Sequence, residues 1–141
     1  MKIGKVLIAS LAVSIFGAIF GAVTCGWLFN WVYKIEPTNV WRTMDGPPGV
    51  GYYIGSFLVN IVLAIVYALL SKGIPGKNKI AKGLIFGLCL WAVSTLPGMF
   101  VTHAFMTVAT GVIIYWTITG LIELPIKGII IAAIYDADKE K

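Results

Sequence analysis

Four long apolar runs separated by polar breaks organise the chain, at about 6–32, 51–70, 80–101 and 108–135. Each reaches the roughly 20 residues that carry a helix across a hydrocarbon layer of about 30 Å. The pattern predicts an all-α integral membrane protein, with four transmembrane helices forming a single domain over residues 1–141. The first run follows Lys2 and Lys5, and its Ala22-Val23-Thr24-Cys25 looks like a signal-peptide or lipoprotein-like cleavage site. Because the run continues through Gly26, Trp27, Leu28 and Phe29, it is expected to be the first span.

The breaks have turn chemistry. Residues 34–50, KIEPTNVWRTMDGPPGV, form the one long polar connection, with Pro37, Asp45-Gly46 and Pro47-Pro48 as turn formers. Trp27, Trp31, Tyr33, Trp41, Tyr52 and Tyr53 flank it like an aromatic belt, so the loop is expected to fold back over the membrane surface. Ser71-Lys72-Gly73-Ile74-Pro75-Gly76 ends the second span, a short link holding His103 follows the third, and the tail DADKEK reads as polar. Pro97 and Pro125 each remove a backbone donor, from Val93 O and Leu121 O respectively, and predict kinks.

Small residues supply the packing signal. GxxxG occurs as Gly17/Gly21, Gly51/Gly55 and Gly83/Gly87, with a related Gly128/Ala132, and such faces let helix backbones approach in lipid. At least two of the three GxxxG faces are expected to be buried against helices, first of all within the chain itself. Gly17-Ala-Ile-Phe-Gly21 recurs as Gly83-Leu-Ile-Phe-Gly87, and Ile65-Val-Tyr67 has an echo in Ile134-Tyr135. A duplicated hairpin, two tandem parallel units, would account for both similarities.

Composition narrows the class. An apolar share of 59% with 12% charged residues lies far from the balance of a soluble domain. The net charge of +5 is distributed between spans and not gathered on one surface, which disfavours nucleic acid as a partner. Two cysteines, Cys25 and Cys89, and one histidine cannot assemble a zinc, iron–sulfur or bis-His haem site within one copy, so no metal and no cofactor are expected. Cys25 is expected near the outer end of the first span and Cys89 in the cytoplasmic half of the third, which disfavours a disulfide.

Ionised residues inside a span carry the chemical interest. Glu123 and Lys127 sit four residues apart around Pro125 in an otherwise apolar run. A charge at bilayer depth is costly unless paired or facing protein or water, so this pair marks a candidate functional site. Helical rise brings Asn60, Ser94 and Thr95 to similar depth, and the five residues could form an intramembrane polar site. The competing structural reading has Glu123 and Lys127 neutralise each other on one helix face while Asn60 bonds across helices. No nucleophile and base set, phosphate loop or carboxylate dyad is evident, so self-contained catalysis is not expected. The expected function is therefore a non-catalytic accessory or structural subunit of a larger membrane complex, with the lipid bilayer and other membrane subunits or a homo-oligomer as partners. The alternatives are a small oligomeric transporter or channel using the Glu/Lys cluster, or a membrane enzyme completed by another chain.

Orientation follows from Lys and Arg. Lys2, Lys5, Lys72, Lys77, Lys79, Lys82, Lys139 and Lys141 fall on one side, against Lys34 and Arg42 on the other. The positive-inside rule then places both termini in the cytoplasm of a cell with the protein in its (inner) membrane. A cysteine introduced in 38–46, in a background without Cys25 and Cys89, should react with an impermeant maleimide on whole cells. One introduced in 73–79 should react only after lysis, and the reverse pattern would invert the orientation.

Overall fold

Helix α1 (Ile3–Leu28), α2 (Val50–Leu70), α3 (Lys79–Phe105) and α4 (Thr110–Tyr135) are each long and apolar enough to cross a membrane. The structure, a computed structural model, describes residues 2–41 and 47–136, and no strand occurs among the described residues. Arg42, Asp45, Lys139 and Lys141, which entered the sequence arguments, lie outside the described residues.

Local chemistry sets the ends. Asn78 starts α3 by accepting a 2.8 Å hydrogen bond from the Ala81 amide, the usual N-cap contact. The turn before it depends on Gly76, whose φ of 151° suits only glycine, and on Lys82 Nζ donating to Ser71 O at 3.2 Å beyond the end of α2. Two boundaries differ from expectation. The first helix ends at Leu28, and Asn30–Lys34 is a separate 3₁₀ turn. The third continues to Phe105 and takes His103 into its last turn, where a link was expected. Its Trp91–Thr95 segment is wound as a π-helical turn, so the chain passes Pro97 without ending the helix. Ala22–Leu28 of α1 is wound in the same wide form.

All four helices meet at the end where α1 begins and α4 finishes. Val6, Ala9 and Val13 from α1, Ala64 and Tyr67 from α2, Phe86 from α3, and Ile131 and Ala132 from α4 form one buried cluster there. Tyr67 anchors it, fully buried, with its ring edge-on to Phe86 at 5.1 Å and its hydroxyl donating to Asp136 Oδ2 at 2.8 Å. Asp136, the first residue of the polar tail, is 4% exposed. At the opposite end a second cluster of Val32, Val112 and Tyr115 joins the 3₁₀ turn to α4, and α2 contributes nothing to it. The helices thus close tightly at one end, and α2 stands apart from α4 at the other.

The α3/α4 crossing is backbone against backbone. A Cβ on Gly83 would sit 2.5 Å from Gly128 O and Ile129 Cα, and one on Gly87 would collide with Leu124 O and Pro125 Cα. A Cβ on Gly128 would in turn overlap Gly83 O. The Gly17/Gly21 and Gly51/Gly55 faces are different, although the first shares its motif with 83–87. Gly17 lies under Lys127, whereas a Cβ on Gly21, Gly51 or Gly55 meets nothing within 4 Å among the described residues. The expectation that two GxxxG faces pack within the chain therefore fails: contact needs a facing backbone, and only α4 offers one, through Gly128 and Pro125.

Substituting leucine at Gly87 should lower thermal stability in detergent by at least the roughly 1–3 kcal/mol of an overpacked site. Leucine at Gly55 should stay within about 0.5 kcal/mol of the parent. Equal losses at the two positions, followed by circular dichroism on heating, would contradict the asymmetry.

Candidate functional site

The ion pair is formed within α4. Lys127 Nζ lies 2.7 Å from Glu123 Oε1, and the side chains are 14% and 28% exposed respectively. The i, i+4 spacing places both groups on one helix face, and that face turns to α1 at Gly17. A Cβ at Gly17 would stand 3.2 Å from Lys127 Cε and Nζ and 3.5 Å from Glu123 Oε1, so the glycine makes room for the pair. Glu123 lies ~20 Å by helical rise from the start of α4, near the middle of its length.

Serines on α1 continue the polar layer towards α2. Asn60, 3% exposed, donates through Nδ2 to Ser14 Oγ at 2.9 Å, and Ser14 Oγ donates to Ser10 O at 2.7 Å. Ser10 Oγ donates to Val6 O at 2.7 Å and lies 3.3 Å from the Asn60 carbonyl. Every one of these groups finds its partner in protein, as an apolar surrounding requires. Asn60 thus bonds to α1 and is not among the groups contacting the ion pair. Ser94 is exposed and donates to Leu90 O at 2.6 Å, one turn back on its own helix. Thr95 packs over Gly120, where a Cβ would meet its Cγ2 at 3.1 Å. Of the five predicted residues, the structure joins Glu123 to Lys127 and brings Asn60 near them through Ser14, while Thr95 belongs to the α3/α4 contact and Ser94 stays exposed on α3.

A cavity of about 310 Å³ stands over the pair, walled by α1, α2 and α4, with Ser14, Gly17, Tyr52, Ser56, Glu123 and Lys127 among its residues. A second, of about 630 Å³, adjoins it towards the end where α2 stands apart. The two share Gly17, Ala18, Tyr52 and Tyr53. Small residues line the α1 side of the upper cavity (Gly21, Ala22, Cys25 and Gly26), facing the aromatic side chains of Tyr33, Trp41, Tyr52 and Tyr53. Tyr33 and Trp41 meet edge-on at 5.3 Å, and Tyr52 and Tyr53 at 5.4 Å. Trp116 Nε1 donates to the Tyr33 hydroxyl at 2.9 Å, and burial pushes the Tyr33 phenol well above its ordinary pKa, so it stays neutral. Trp41 lies against α4, its ring 5.9 Å from that of Trp116.

Sequence reasoning missed Ser10, Ser14, Tyr67 and Asp136. A serine pair four residues apart in an apolar run was the available signal for the first two. Nothing local identifies Asp136, because its partner Tyr67 is 69 residues away.

Glu123→Gln and Lys127→Met should each destabilise the protein by about 1–3 kcal/mol, less than the ~3–5 kcal/mol lost when a fully buried pair is broken, since the cavity exposes both groups. The double variant should recover part of the loss, giving a coupling of about 0.5–3 kcal/mol in a thermal-unfolding cycle. Strictly additive losses would show that the pair does not act as a unit. No protein-family model, curated protein or solved structure matches this chain.

Proposed function

We propose that this chain is a multi-pass protein of the cell (inner) membrane, with both termini in the cytoplasm, and that it serves as a non-catalytic accessory subunit of a larger membrane complex. Membrane placement is supported by the outward faces of the helices, where Val93 is 72% and Phe100 73% exposed among many other large apolar side chains. An apolar surface of this kind is stable against lipid and a liability in water. The subunit role is carried by one observation: Gly51 and Gly55 make a small-residue face on α2 where an added Cβ would meet nothing within 4 Å among the described residues. Glycine weakens a helix by about 1 kcal/mol relative to alanine, and in lipid the return comes from close backbone contact with another helix.

A second reading, a small oligomeric transporter or channel, is favoured by the cavity that reaches Glu123 and Lys127. On that reading a Glu123→Gln/Lys127→Met double variant folds and loses flux in liposomes.

Extraction in a mild detergent followed by native mass spectrometry tests the subunit role. The expected result is co-purification with another membrane chain or a second copy, which Gly55→Leu weakens without lowering the stability of the isolated chain. A monomer free of partners under every mild extraction would overturn it.

A further inference from the structure

From the ion pair and the cavity above it we infer a binding site for a zwitterion: an ammonium received by Glu123, an anionic oxygen received by Lys127, and an apolar body held between α1 and the aromatic wall. The inference rests on the membrane placement proposed above and is independent of the subunit role.

The charge balance of the floor selects the ligand class. Glu123 and Lys127 neutralise each other at 2.7 Å, and both remain partly open to the cavity. A singly charged ligand that replaced one partner would leave the other uncompensated far from bulk water, which is the expensive outcome. A ligand bearing both signs separates the pair and answers each member, exchanging one ion pair for two. Ser56 also lines this cavity, and its hydroxyl is suited to a hydrogen bond that an ammonium or carboxylate leaves over, whereas Ser14, whose proton goes to Ser10 O, has only a lone pair left for an ammonium.

The upper cavity selects the rest of the molecule. Its volume of about 630 Å³ lies within the ~300–1,000 Å³ typical of small-molecule sites. One side is made small by Gly21, Ala22 and Gly26, and the other is built from two edge-on aromatic pairs. Aromatic faces hold apolar groups and also attract a passing ammonium, so the same wall serves entry and binding. Two sources share this chemistry: a free amphipathic zwitterion such as an apolar amino acid, and the headgroup of a zwitterionic phospholipid entering from the side.

The test uses the full chain in maltoside micelles. Isothermal titration calorimetry compares phenylalanine with phenylalaninamide, which keeps only the cation, and N-acetylphenylalanine, which keeps only the anion. Native mass spectrometry compares phosphatidylethanolamine with phosphatidylglycerol. The expected result is a preference of about tenfold or more for the zwitterion in one series, and which series shows it identifies the source. Lys127→Met should turn the preference towards the cation, and Glu123→Gln towards the anion, a reversal that a merely structural pair would not produce. Gly21→Leu, where a Cβ meets nothing within 4 Å, should fold normally and weaken binding in the responding series by filling the cavity. No zwitterion preference in either series, or lipid binding indifferent to headgroup, overturns the inference even if both charge variants fail to fold. Failure of the partner search would leave these titrations unaffected.

Discussion

The contact of α3 with α4 at Gly83, Gly87 and Gly128 sets the geometry of the whole bundle. Where two backbones touch, dispersion is gained along the full width of the helix and no side chain can adjust the fit, so both the crossing point and the rotation of α4 are determined. With Gly128 facing α3, the opposite side of α4 carries Glu123 and Lys127 to Gly17 of α1. Pro125 lies between them and has a place in the same contact, its Cα beneath Gly87. The charged face is therefore oriented by a packing surface that contains no charge.

A second constraint is that polar groups removed from water must find partners. The chain meets it mostly locally. Ser14, Ser94, Thr24, Thr102, Thr117 and Thr119 each donate to the carbonyl four residues earlier on the same helix. Some groups bond between helices instead: Asn60 with Ser14 ties α2 to α1, Trp91 with Thr117 O ties α3 to α4, Tyr115 with Cys25 ties α4 to α1, and Tyr67 with Asp136 ties α2 to the end of α4. The ties of α2 begin at Asn60 and run towards the closed end. Among the described residues no side-chain hydrogen bond joins α2 to α4 on the other side of Asn60, and that is where the cavity lies.

Run length and hydropathy made the four helices legible, because a span of ~20 apolar residues has few other uses. The i, i+4 rule likewise made the Glu123–Lys127 contact legible. Helix faces were not, since depth along a helix says nothing about rotation: Ser94 shares its level with the pair and yet is exposed on α3. The glycines show the same limit. Gly17-Ala-Ile-Phe-Gly21 and Gly83-Leu-Ile-Phe-Gly87 are nearly the same motif, and the difference between them is the neighbour each meets: Lys127 for Gly17, open space for Gly21, and the backbone of α4 for Gly83 and Gly87. Asp136 and Tyr67 needed the fold to bring them together.

The π-helical turns in α1 and α3 carry a consequence of another kind. Each holds one residue more than an α-helical turn closing the same stretch of backbone, so the helix beyond it is rotated by roughly 100° relative to an uninterrupted α-helix. In α1 the turn begins at Ala22, just after the residues that meet the ion pair, and in α3 it begins at Trp91, just after the Gly87 contact. A one-residue deletion inside either turn would return the distal segment to the α-helical register and leave Gly17, Ser14, Gly83 and Gly87 where they are. The half of this bundle beyond the π-helical turns can therefore change its length and its presented face by single residues, while the half fixed by backbone contact cannot.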